Sequence, residues 1–250
     1  MRFQRGAVLA AGIQLLTGSA AFADAKSDAL IQQAFTTAKK ATSLMATVVT
    51  TVTKDGATKT HTAAVRLLKP NLAQVSVFNT DPAKQMLLLL TGKDAYLVVP
   101  VKKQYQQLEK VTDAARSPLS NVGTPLAGAF FDDQVLKSLT TIAKVTYIGK
   151  KTIGAVSYEA VLVKRAKPSQ LVVTAYFGPS GLCERMELTI PPPIVKKASA
   201  NTAKRPSGRV VWWLKDLKLN TPIPASEFVY SPPAGYTRMQ QQQAPLFPTQ

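Results

Sequence analysis

Between Ser43 and Leu219 the chain is written mostly as short runs rich in Val, Thr, Leu and Tyr, punctuated by Gly, Pro, Asn and Asp. Runs of that kind predict β-strands. Ser43–Thr53 and Thr58–Lys69 flank Lys54-Asp55-Gly56, a good hairpin turn. Asn71–Asn79 follows, with Leu72, Val75 and Val77 among its apolar residues. Lys84–Thr91, Ala95–Pro100 and Lys103–Leu108 continue the series, and Gly92-Lys93-Asp94 makes a tight turn between two of them. After a break the strands resume at Lys144–Gly149, Ala155–Arg165, Gln170–Phe177, Leu182–Ile190 and Val210–Leu219, the last with the tandem Trp212-Trp213. Glycine- and proline-bearing turns separate them.

Two segments change period. From Asp28 to Lys40, the residues Leu30, Ile31, Ala34, Phe35 and Ala38 fall on one helical stripe, with Ser27 or Asp28 as cap. From Thr124 to Leu139, a capping hydroxyl and Pro125 at the first helical position precede Leu126, Ala127, Phe130 and Phe131. The pattern is thus a meander of antiparallel strands with few helices. A sheet too curved to pack on a second sheet closes on a helix instead. The enclosed space is a filled core if that helix fits tightly and a pocket if it fits loosely; composition leaves both open.

The ends read differently. Arg2 and Arg5, an apolar Gly6–Gly18 and the small residues of Ala21-Phe22-Ala23 predict a secretory signal over residues 1–23. Ala23-Asp24-Ala25 is a second cut site. A membrane anchor is the competing reading, but a span needs about 20 apolar residues. Residues 24–238 form one domain, residues 191–208 a basic, proline-opened loop within it, and residues 239–250 a polar tail without structure.

The formal net charge is +17. For an exported chain that points to a membrane surface, lipid headgroups or polysaccharide, and away from nucleic acid. A single cysteine, Cys183, forms no internal disulfide and reads as a small buried hydrophobe. The only histidine, His61, lies in a Thr-rich strand, too little for a metal site or a nucleophile–base pair. Gly178-Pro179-Ser180-Gly181 is not a nucleophile elbow, and Gly149-Lys150-Lys151-Thr152 lacks the upstream glycine of a phosphate loop. The expectation is a monomeric binding protein with no catalysis, cofactor or metal.

Several motifs occur in a telling order: "ADA", a helix, a Lys-Asp-Gly hairpin, "LLKPNLAQVSV", "LTGKDAYLVVP", "TPLAGAFF" and "EFVYSPPAGY". In that order they resemble the LolA/LolB-like superfamily, which includes the periplasmic carrier of outer-membrane lipoproteins. The resemblance implies a mainly β (α+β) fold: a strongly curved antiparallel half-barrel sheet with helices lidding its concave face, and a cavity for lipoprotein acyl chains. It puts Lys69 where the carrier has a lid-holding arginine. It puts Val75 and Val77 at inward apolar positions, and Tyr96 and Val98 at inward aromatic ones. With Leu87 and Leu89 from the adjacent apolar strand, and Leu126, Phe130 and Phe131 from the lid, these residues form the expected ligand cavity. The basic loop and the lysine depart from the carrier. The chain therefore reads as a divergent relative that carries acyl lipids or lipoproteins in the periplasm, or as an envelope sensor or assembly factor on the same scaffold.

Overall fold

The computed structural model describes residues 24–54, 56–79, 81–82, 85–108, 143–165, 172–190 and 208–239. The predicted signal, the 124–139 lid, residues 191–207 of the basic loop and residues 240–250 lie outside them.

Among the described residues one α-helix, α1 (Ala25–Lys40), precedes twelve strands: β1 (Ser43–Lys54), β2 (Ala57–Leu68), β3 (Leu72–Phe78), β4 (Met86–Thr91), β5 (Ala95–Val99), β6 (Gln104–Leu108), β7 (Ala143–Ile153), β8 (Val156–Arg165), β9 (Val172–Phe177), β10 (Cys183–Ile190), β11 (Gly208–Leu219) and β12 (Thr237–Arg238). The strands form a single sheet in the order β12-β6-β5-β4-β3-β2-β1-β11-β10-β9-β8-β7. It does not close into a barrel. Every pairing is antiparallel except β12 with β6. The two meanders join where β1 pairs with β11, so the first strand ends up in the middle of the sheet. Register shifts opposite Met45/Thr47, at Cys183/Arg185 and at Tyr147/Lys150 add residues to one strand of a pair. Such bulges bend a sheet and increase its twist. Asp216, in the first of them, takes the left-handed φ of 53° that the extra residue requires.

α1 begins three residues before the predicted start. The reason is Asp24, whose Oδ1 accepts from the Ser27 backbone N–H at 2.9 Å and caps the helix. Its other oxygen accepts from the Tyr147 N–H at 2.6 Å, pinning the helix start to β7. The Tyr147 bond, then the Ser27 bond, holds the carboxyl below its usual range. A carboxylate with a lowered folded-state pKa stabilises the fold above its unfolded pKa and loses that effect as pH falls through the folded one. Thermal melts of wild type and Asp24→Ala should therefore differ at pH 7 and converge as the carboxyl protonates. A gap that persists unchanged in acid contradicts the role assigned to the charge.

At the other end of α1, Lys69 Nζ donates to the carbonyls of Ala38, at 2.9 Å, and Lys39, at 2.5 Å. A cation there meets the negative end of the helix dipole. Lys69-Pro70 is a cis peptide opening the β2–β3 turn. In that turn Asn71 Nδ2 donates to Gly92 O at 2.7 Å, joining it to the β4–β5 turn. Two of the motifs that carry the resemblance thus meet at one end of the sheet.

β6 starts at Gln104 rather than Lys103, because Pro100–Lys102 form a 3-10 turn and Lys103 is left-handed at φ 48°. The chain after β11 does not trail away. Residues 221–239 cross the outer side of the sheet, with a 3-10 turn at Ala225–Phe228 packed on β3 and β4. Met239, placed by the sequence in the polar tail, is buried, and its N–H donates to Tyr105 O at 2.7 Å. The domain includes it.

Candidate functional site

Alternation assigns each strand residue to a face, and the register aligns these residues in rungs across the sheet. On the concave face one rung reads Gln106, Leu97, Leu88, Val75, Val65. The next reads Met86, Val77, Ala63, Val48, Leu214. A third, nearer the β2–β3 turn, carries Ala95, Leu90, Ala73, Leu67 and Leu44. Nearly all of these side chains are apolar, and many are small.

α1 does not cover this face evenly. Leu30, Ile31 and Ala34 pack into a cluster with Val145, Val163, Val173, Phe177 and Val210, on the β7–β11 half. The β1–β5 half is reached by Ala38 and by Ala41 just beyond the helix. Among the described residues, α1 is the one α-helix seated on the concave face.

The expected cavity residues divide. Val75 and Val77 are on the concave face and buried, at 1% and 7% exposure. Leu87, Leu89, Tyr96 and Val98 are not beside them. Leu88 pairs with Val75 and Leu97, so its neighbours Leu87 and Leu89, and their partners Val98 and Tyr96, point to the opposite face. On that face the 221–239 segment packs on β3 and β4 and meets Tyr96. Tyr96 packs against Tyr230 with the rings tilted by 48° and their centroids 4.9 Å apart, and Tyr230 meets Tyr105 edge-on at 6.4 Å. Burial raises the pKa of both Tyr96 and Tyr230. A cleft of about 440 Å³ on this outer side is lined by Leu72, Thr91, Asp94, Tyr96, Phe228 and Tyr230 among others. The unbroken Met86–Leu90 run thus has a plain cause: β4 is covered on both sides. Lys69 holds the end of α1; its expected partner, the 124–139 lid with Leu126, Phe130 and Phe131, lies outside the described residues.

Sequence reasoning missed the polar side chains on the concave face, Gln106 at the end of one rung among them. Trp212, Thr50 and His61 stand side by side on β11, β1 and β2, between apolar rungs. The signal was present in the tandem Trp212-Trp213, since alternation sends one indole to each face.

On the convex side Arg185 lies 5.4 Å from the Trp213 ring and 6.0 Å from Tyr176, and both it and Arg209 pair with Glu187. Cys183 donates its thiol to Arg185 O and packs against the α1 cluster; burial pushes its pKa up to about 12, which keeps it an inert thiol at neutral pH. Among the described residues no group of three or more His, Cys, Asp or Glu side chains converges to hold a metal, and no helix is long and apolar enough to cross a membrane.

No family model matches the chain, and no curated protein matches it. Among solved structures it is similar to a LolA superfamily protein from Nitrosomonas europaea, at 12% identity over 81% of this chain and 97% of that one, with a TM-score of 0.37. It is similar to the lipoprotein LppX from Mycobacterium tuberculosis, at 16% identity over 79% and 96%, with a TM-score of 0.45. An uncharacterized conserved protein from Thermus thermophilus aligns at 9% identity over 86% and 98%, with a TM-score of 0.48.

Proposed function

We propose that this protein is a non-catalytic carrier of the cell envelope, a divergent LolA/LolB-like protein that works in the periplasm and holds acyl chains of a lipid or lipoprotein against its concave face. One observation carries the reading. The inner face of β2–β5 is a continuous apolar surface with small side chains at Ala63, Ala73 and Ala95, and α1 is seated mainly on the other half of the sheet. Each methylene moved from water to such a surface is worth about 0.8 kcal/mol, so a chain of about 14 carbons gains on the order of 10 kcal/mol before ordering costs. The charge suits the second half of the task. Lys54, Lys59, Lys102, Lys103 and Lys164 are all exposed at the end of the sheet bearing the β1–β2 and β5–β6 turns. Basic residues near an anionic surface contribute about 1 kcal/mol each.

The test is titration of the delipidated protein with a fluorescent fatty-acyl probe. Wild type should bind saturably. Ala63→Phe, which fills the concave face, should weaken binding at least tenfold while the protein still melts cooperatively. Val229→Asp, at an outer residue 74% exposed, should leave binding unchanged. Absence of saturable binding by wild type, with a protein partner co-purifying and no lipid in the extract, would favour the sensor or assembly role instead.

A further inference from the structure

The concave face carries a built polar step inside its apolar trough. One rung runs Met186, Trp212, Thr50, His61 across β10, β11, β1 and β2. On one side of it lies the apolar rung Leu214, Val48, Ala63; on the other lies Val210, Val52, then Lys59. Trp212 and Thr50 are 4% and 3% exposed. Neither the indole Nε1 nor the Thr50 Oγ1 has a hydrogen-bond partner. An indole N–H can only donate, and a hydroxyl can donate as well as accept. Side chains directly opposed on antiparallel strands have Cβ atoms about 4.5–5.5 Å apart, so both groups can serve one oxygen. Leaving a buried donor unmet is costly, which makes the pair a demand for an acceptor.

The geometry points to a subsite for the carbonyl oxygen of an acyl ester or amide, with Trp212 Nε1–H and Thr50 Oγ–H as its donors. This rests on the carrier reading and names the ligand's chemistry. Along β1 the face passes from Leu44 through Ala46 and Val48 to Thr50, about 20 Å of strand with apolar side chains up to the donors. Val52 follows, and on the same rung Lys59 is exposed near the lysine-bearing end. That sequence of environments matches an acyl chain, its carbonyl and a polar headgroup in order. A free hydrocarbon would leave the donors unmet. A carboxylate would meet no lysine or arginine on that rung.

Two lysolipids of equal chain length test it, one ester-linked and one ether-linked, so that the pair differs by the carbonyl alone. Wild type should bind the ester about 5- to 10-fold more tightly, the worth of one or two net hydrogen bonds. Trp212→Phe and Thr50→Val should each weaken ester binding toward the ether value and leave ether binding where it was. In the wild-type complex, the stretch of a ¹³C-labelled ester carbonyl should shift to lower frequency than in an apolar solvent, a reading independent of any variant. Equal losses for both probes would reduce the rung to packing. No change in either variant, with an unshifted carbonyl, would leave the donors to a buried water and overturn the subsite while the carrier reading stands. Failure of wild type to bind either lysolipid would overturn both.

Discussion

Phe228→Ala should destabilise the protein by about 3–5 kcal/mol, the usual range for removing a buried phenylalanine, and lower the melting temperature by roughly 10 °C. Phe228 is 1% exposed and belongs to the short turn that packs on β3 and β4. It is the most deeply buried side chain of the outer segment, which also buries Ile223 and Met239. Next to it Glu227 pairs with Arg66 on β2, an exposed contact worth little by itself. With the ring gone, the cleft that it lines with Leu72, Thr91 and Tyr96 loses a wall. Hydrogen exchange should rise first in 221–239 and in β6, to which β12 is paired, and later in β1 and β11. Uniform loss of protection across the sheet would mean that the segment is not a separable cover.

The second large effect belongs to Glu187. Burial raises the pKa of its carboxyl, but the bonds from Arg209 and Arg185 outweigh this and leave it below the usual range. Arg185 donates to Glu187 Oε1 from Nε at 3.0 Å and from a terminal nitrogen at 2.7 Å. The side chains are 13% and 16% exposed, so Glu187→Ala strands a guanidinium with little access to water. Breaking a fully buried pair costs about 3–5 kcal/mol; residual solvent and the flanking rings bring the expected loss to about 2 kcal/mol. Replacing both partners, Arg185→Met with Glu187→Leu, should recover most of it, because the charge then left without its partner, Arg209, is half-exposed to water. Chemical denaturation of the three variants measures this. A double variant as unstable as the single would show that the rings, not the carboxylate, hold Arg185 in place.

Much of the architecture was legible in the sequence because it is local. The stripe of Leu30, Ile31, Ala34 and Ala38 shows α1, and Lys54-Asp55-Gly56 marks the β1–β2 hairpin. What the sequence hid is long-range. Nothing near Thr47 says that its neighbour is Lys215, and β1 joins two meanders through just such pairs. The face of β4 was hidden for a different reason. In Met86–Leu90 every residue is apolar, so alternation carries no information about parity, and only the pairing of Leu88 with Val75 supplies it. Leu87, Leu89, Tyr96 and Val98 were therefore assigned inward when they lie outward. The segment that packs over this side was present in "EFVYSPPAGY", whose tertiary role is invisible without the fold.

The outer segment also sets a timetable. A ribosome releases Leu89 about 140 residues before Phe228, and at about 5–20 residues per second that is roughly 7–30 s. Throughout that interval the outward leucines of β4 have no cover, and β1 has no partner on its β11 side. The nascent chain is thus an unfinished sheet with a greasy exterior and an open edge, the kind of surface that invites aggregation. It follows that the sheet is unfinished until the outer segment is made, and that truncation before Phe228 should leave the outward leucines of β4 bare and sticky.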